Sequence, residues 1–223
     1  MQTQTQPILS RTIDAPHPVR SGGIRLDGLT KRFGRTAAVD GVSLDIGPGE
    51  FFVVLGPSGC GKSTLLRLIA GLDTPTEGTL EWSGERRARD VGFVFQEPTL
   101  MPWARVFDNV WLPLRLAGIS RRAAEPRVMA ALESVGLADF RRSYPRELSG
   151  GMKMRVSIAR GLVTRPRVLL MDEPFAALDE ITRFQLNSDL LTLWERERFT
   201  VIFVTHSVFE SVFLSNRIVV MAA

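Results

Sequence analysis

One cysteine, one tyrosine, two histidines and three lysines are all that the 223 residues contain of those types. A single thiol, Cys60, excludes an internal disulfide and suits a cytosolic protein. The longest apolar runs fall well short of the roughly 18 residues that a membrane-spanning helix needs. No basic segment followed by an apolar stretch opens the chain, so no secretory signal is expected. With lysine confined to Lys31, Lys62 and Lys153, the formal charge of +4 rests on arginine. The arginine pairs (Arg86-Arg87, Arg121-Arg122, Arg141-Arg142) are scattered and interleaved with acids rather than gathered in one stripe. They read as solvated faces, and no nucleic-acid partner is expected. Apolar content, at 44%, is ample for one domain or two closely packed lobes.

The most informative stretch is Gly56-Pro57-Ser58-Gly59-Cys60-Gly61-Lys62-Ser63-Thr64, which fits G-x-x-x-x-G-K-[ST]. Before it stands Phe51-Phe52-Val53-Val54-Leu55, an unbroken apolar run typical of a strand buried on both faces. After it comes a helical stretch, Lys62 to Ala70, stopped by Gly71. A glycine-rich loop between strand and helix turns its N–H groups and the positive end of the helix dipole toward one point, where phosphate oxygens can replace water. Lys62 then reaches the β- and γ-phosphates, and the Ser63 hydroxyl ligates Mg²⁺. The plainer reading, a turn that merely joins strand to helix, does not need both flanks to match. A nucleoside triphosphate is the expected ligand.

Met1 to Arg20, rich in Gln, Thr and Pro, is expected to be a disordered tail. Ile24 to Leu29 and Val42 to Ile46 alternate apolar and polar residues, as strands of a small antiparallel sheet do, with a turn expected at Lys31-Arg32-Phe33-Gly34. Thr79 to Trp82 is a short strand and Val91 to Phe95 a buried one that ends at Gln96. The texture then turns helical, at 106–116, 121–135 and 137–142, so a helical subdomain over about 97–158 is expected inside an α/β core of residues 21–223. The core resumes with a helix over 150–164, a buried strand over 167–171, a helix over 179–195, a strand over 200–204, a helix over 208–214 and a last strand over 217–221. Strands alternating with helices predict a doubly wound, mostly parallel sheet whose ligand lies at the carboxyl ends of the strands. The glycine loop, Gln96, Asp172, Glu173 and His206 all fall at such ends.

Asp172 and Glu173 close an apolar strand. The first carboxylate can hold Mg²⁺, and the second can take a proton from, or orient, the water that attacks the γ-phosphate. His206 follows the polar strand end Thr205, where a neutral imidazole could hydrogen-bond the γ-phosphate. A lone histidine is more often structural, and only its strand-end place raises the functional reading. Gln96 could coordinate Mg²⁺ or its water by the same positional logic. Leu148-Ser149-Gly150-Gly151-Met152 opens a helix with a serine and two glycines, a second anion site for which one chain alone has little use.

These motifs together resemble the ATP-binding subunit of an ABC transporter. The glycine loop, Gln96, the Leu148–Met152 signature, Asp172-Glu173, Phe175-Ala176-Ala177-Leu178-Asp179 and His206 stand in that family's order, and the resemblance covers about residues 24–221. It implies a P-loop NTPase fold, ATP and Mg²⁺ as ligands, and a head-to-tail dimer. Each ATP would lie between the glycine loop of one subunit and Ser149, Gly150 and Gly151 of the other, with Asp179 communicating across the interface. Phe33 stands where the family stacks an aromatic on adenine, usually tyrosine. The helical subdomain would receive a coupling helix of a membrane permease beside Gln96 to Trp103. Leu100-Met101-Pro102-Trp103, and Met152 in place of the usual glutamine, resemble importers of nitrate, aliphatic sulfonates and taurine. In such systems the subunit sits on the cytoplasmic face of the inner membrane, and a periplasmic or extracellular solute-binding protein completes the assembly. Family members usually run on past the final strand, often with Arg-Pro-Gly, where this sequence has Met221-Ala222-Ala223.

Two other readings are weaker. Non-transport ABC ATPases carry long coiled-coil insertions or two cassettes in one chain, against about 50 inserted residues and one cassette here. A binding-only regulatory module would be marked by lost catalytic residues, whereas Lys62, Asp172, Glu173 and His206 are present. No residue of such a subunit need touch the solute itself.

Overall fold

The computed structural model describes residues 22–85 and 90–222. The expected tail over 1–20 and the pair Arg86-Arg87 lie outside the described residues.

The chain opens with a hairpin, β1 (Ile24–Phe33) and β2 (Thr36–Ile46), followed by β3 (Phe51–Leu55), α1 (Lys62–Ala70) and β4 (Glu77–Trp82). Strands β2, β1 and β4, in that order, form an antiparallel sheet. The turn expected at 31–34 is tighter and later. Strand β1 runs through Phe33, and the reversal falls at Gly34-Arg35, with Gly34 at φ 61°. The alternating pattern hides this because the β1–β2 register shifts three times between Leu26 and Arg32. Each irregularity restarts the alternation on the other face.

Next come β5 (Val91–Val94), α2 (Val106–Leu116), α3 (Arg121–Ser134), α4 (Gly150–Leu162), β6 (Val168–Asp172), α5 (Glu180–Glu197), β7 (Thr200–Thr205), α6 (Val208–Leu214) and β8 (Arg217–Val220). Five of the strands make a sheet in the order β5-β6-β7-β3-β8, paired in parallel throughout. The expected α/β architecture is therefore present, and its helices begin and end within a few residues of the sequence pattern.

Alternate residues of the parallel strands feed two separate cores. Phe51, Val53, Leu169, Met171, Val201 and Phe203 face α2 to α6. Phe52, Val54, Val168, Leu170, Ile202 and Val204 face α1 and the antiparallel sheet. Burial on both faces explains why these strands read as continuous apolar runs. The segment after Gln96 is tied down from two helices. Buried Asn109 of α2 donates to the carbonyls of Met101, Ala104 and Arg105 and accepts from Met101 N. Arg160 of α4 donates to the carbonyls of Pro98 and Thr99.

Candidate functional site

Parallel register brings the strand ends into one line. Val94 pairs with Met171, Asp172 with Val204, and Leu55 with both Thr205 and Val220. Gln96, Glu173 and His206 each follow at the next step or two, and the glycine loop leaves β3 at the same edge.

The loop is shaped by what cannot fit. Gly61, the residue before α1, has φ 96°, and a Cβ there would stand 1.8 Å from the carbonyl oxygen of Ala38. A Cβ on Gly56 would meet Met221 O at 2.6 Å and Cys60 Sγ at 2.7 Å. Cys60 is buried against the loop's base, while Pro57, Ser58 and Gly59 are exposed at its tip. Inside the loop the buried Lys62 ammonium donates to Gly56 O at 2.8 Å and Pro57 O at 2.7 Å.

From Lys62 a line of contacts crosses the sheet edge. Its Nζ lies 3.2 Å from Glu173 Oε1, and Glu173 Oε2 lies 2.8 Å from His206 Nδ1. Ser63 Oγ donates to Asp172 Oδ1 at 3.0 Å. Burial pushes the Asp172 carboxyl up from its ordinary range, and the Ser63 hydrogen bond opposes that shift. Glu173 holds φ 44°, in the left-handed region, with its N–H bonded to Val204 O. Such a backbone costs on the order of 1–3 kcal/mol in a residue with a side chain, and it aims this carboxylate at Lys62 and His206. One expectation changes. With Nδ1–H given to Glu173, a neutral His206 ring keeps only a lone pair on Nε2. It can donate to a phosphate only after leaving Glu173 or taking a second proton.

The remaining predicted residues form a second group. Ser149 caps α4, its Oγ accepting from Met152 N at 3.2 Å. Gly151 lets α4 approach α5, since a Cβ would stand 2.6 Å from Thr182 Cγ2, and one on Gly150 would stand 3.3 Å from Leu178 Cδ2. Asp179 caps α5 by accepting from Thr182 N at 2.9 Å, and that backbone hydrogen bond holds its carboxyl below the usual range. Both serine and aspartate thus have local capping work that the sequence reading did not assign. Exposed Phe33 lies at the β1 end with Lys31 Nζ 5.1 Å from its ring centre, and Gln96 is exposed beyond β5. No hydrogen bond or ion pair among the described residues joins Phe33, Gln96, Ser149 or Asp179 to Lys62, Glu173 and His206 directly.

Sequence reading also missed Arg183 and Glu210. They sit four residues after Asp179 and four after His206, a spacing that places them one helical turn into α5 and α6. Glu210 is buried, which is rare enough in a carboxylate to mark it once the fold is known.

The chemistry of the glycine-loop group fits Mg²⁺ and a triphosphate. Helix α1 starts without a side-chain cap and without an acidic residue in its first turn, so an anion meets no competitor there. Among the described residues no three His, Cys, Asp or Glu side chains converge as a cage for a metal. A divalent ion would rest on Asp172, the Ser63 hydroxyl, phosphate oxygens and water, as Mg²⁺ does at triphosphates.

Comparison with known proteins places the sequence and the fold. A model of the ABC transporter family matches residues 39–176. An aliphatic sulfonates import ATP-binding protein (SsuB) of Rhodopseudomonas palustris is 47% identical over 220 residues, 96% of this chain and 77% of that one. A taurine import ATP-binding protein (TauB) of Rhizobium johnstonii is 48% identical over 195 residues, 86% of this chain and 74% of that one. Among solved structures, the dimeric ATP-binding cassette MJ0796 bound to ADP and Pi superposes with a TM-score of 0.74 at 35% identity, covering 89% of this chain and 94% of that one. By matched sequence and fold alike, the chain belongs to the ABC transporter family, as one of its ATP-hydrolysing cassettes.

Proposed function

We propose that the chain is the ATPase subunit of an importer, hydrolysing Mg-ATP at a head-to-tail dimer interface to drive a membrane permease. The observation that carries this reading is the line Lys62–Glu173–His206 beside the uncapped start of α1. Lys62 leaves its loop carbonyls and Glu173 for the β- and γ-phosphates, which frees the carboxylate to face the attacking water. Glu173 takes the proton as the water oxygen bonds to the γ-phosphorus and the bond to the ADP oxygen breaks. His206 orients Glu173 and, once released or doubly protonated, donates to the γ-phosphate. Ser63, Asp172 and Gln96 would hold Mg²⁺, which when bound would supply charge neutralisation on the phosphates. Phe33 supplies a π face for the base.

Ser149, Gly150, Gly151 and Asp179 serve the partner's nucleotide, which accounts for a serine and two glycines at a second helix start in a chain with one glycine loop. The helical subdomain over about 97–158, with its exposed Trp103, receives the permease. No helix among the described residues is long and apolar enough to cross a membrane. A peripheral place on the cytoplasmic face follows from the partnership with a permease. The names of the sulfonate and taurine relatives, with Leu100-Met101-Pro102-Trp103, support a small sulfonate- or taurine-like solute delivered by a solute-binding protein.

Glu173→Gln tests the core of this reading. Glutamine keeps size and a carbonyl acceptor but takes no proton, so ATP still binds while hydrolysis falls by roughly 10²–10⁴-fold. The closed dimer then accumulates with ATP on size-exclusion chromatography and reverts on its removal, whereas Lys62→Ala stays monomeric. Hydrolysis at the wild-type rate by Glu173→Gln would remove Glu173 as the base.

A further inference from the structure

The two groups of site residues, unconnected by direct contacts, are joined by a partly buried path through α5 and α6. Glu210 is 4% exposed. One of its oxygens accepts from Thr205 Oγ1, and the other lies 4.0 Å from Arg183 Nε. Arg183 in turn donates to Leu178 O at 2.9 Å and Ala176 O at 3.5 Å, in the loop that ends at Asp179. At the other end, Thr205 is the last residue of β7. Its carbonyl accepts from Gly56 N at 3.3 Å and its hydroxyl accepts from Ser207 N at 3.0 Å, on either side of His206.

This path is a poor device for stability. A carboxylate taken out of water needs a close, hydrogen-bonded cation, and here the nearest stands 4.0 Å off. Arg183 Nε is itself buried without a hydrogen-bond partner. A buried donor facing a buried acceptor just beyond bonding distance closes on it when α5 and α6 shift by about 1 Å. Such a pair senses where the 176–179 loop sits and transmits it to Thr205.

We propose that Arg183 and Glu210 are positioning residues that lock the strand end bearing His206, and the base of the glycine loop, to the 176–179 loop. Displacement of that loop is then felt at Glu173 and Lys62. The inference rests on the roles given above to His206 and Glu173. It adds that the end of the chain facing a partner's nucleotide sets the geometry of the chain's own hydrolytic group.

The test uses Arg183→Gln, Glu210→Gln and the double variant, with steady-state hydrolysis, KM for Mg-ATP and thermal melting of each. Misplacing a catalytic group by an ångström costs up to about 100-fold, so each single variant loses roughly ten- to a hundred-fold in kcat with KM little changed. The double variant is no slower than the slower single, because both break one path. A purely structural pair would lower Tm while leaving the rate per folded molecule intact, and that result would overturn the proposal, as would effects that multiply. Should Glu210→Gln fail to fold, Arg183→Gln decides alone, since Arg183 is partly exposed at the rim: unchanged kcat sinks the idea. Glu173→Gln is measured alongside. A fast Glu173→Gln defeats the reading of the site itself, whereas a dead Glu173→Gln beside a fast Arg183→Gln defeats only the link.

Discussion

A methyl group on Gly61 would have to share space with the Ala38 carbonyl, in a backbone region that residues with a Cβ enter at a cost. Gly61→Ala therefore displaces the start of α1 or the β2 segment behind it. Expected losses are roughly 2–5 kcal/mol of stability, combining overpacking with left-handed strain, and at least tenfold in affinity for a fluorescent ATP analogue. Normal affinity with a normal melting curve would mean that the loop does not depend on this approach. At this scale the sequence was a good guide to which residues gather at the strand ends and a poorer one to what they touch. Lys62, Ser63, Asp172, Glu173 and His206 were all legible from motif and strand end. That His206 gives Nδ1 to Glu173, and that Asp179 and Ser149 cap helices, depended on rotamers that no spacing encodes. Glu210 was hidden because a glutamate in a short helical pattern looks like solvent until the fold buries it.

Among the elements, the first turns of α4 and α5 approach tightly, with Arg155 and Asp189 pairing further along. Gly151→Ala drives a methyl into Thr182 Cγ2, prying apart the serine-bearing helix start and the one capped by Asp179. Overpacking of this kind costs about 1–3 kcal/mol. Thr182→Ser removes the offending methyl while keeping the hydroxyl, so the double variant should regain most of the lost stability. Chemical denaturation of the three variants reads this directly, and no recovery in the double variant would mean that the contact is not what limits the approach. Helix boundaries were legible because apolar periodicity and glycine stops mark them locally, as Gly71 does after α1. The hairpin between β1 and β2 was less so, because bulges break the period-two signal on which strand reading depends.

Across the whole molecule, one sheet serves two cores, so neither can melt without stripping a face from the other. Phe203→Ala opens a cavity on the side of Phe51 and Phe175, and Ile202→Ala opens one on the side of α1. Losses of about 3–5 and 2–5 kcal/mol are expected. Both variants should show a single calorimetric transition moved down by roughly 10 °C, whereas two resolved transitions would contradict a shared core. Which face each strand residue takes was not legible, since an unbroken apolar run carries no alternation to read. The left-handed backbone at Glu173 has a consequence for the history of such a molecule. Glycine there would relax the chain and remove an awkward charge, so on the role proposed for Glu173 heat resistance and turnover would reward opposite residues at one position. On that reading, a lineage selected for endurance alone would drift toward a sturdier, idle protein, and demand for turnover would keep a carboxylate in that cramped place.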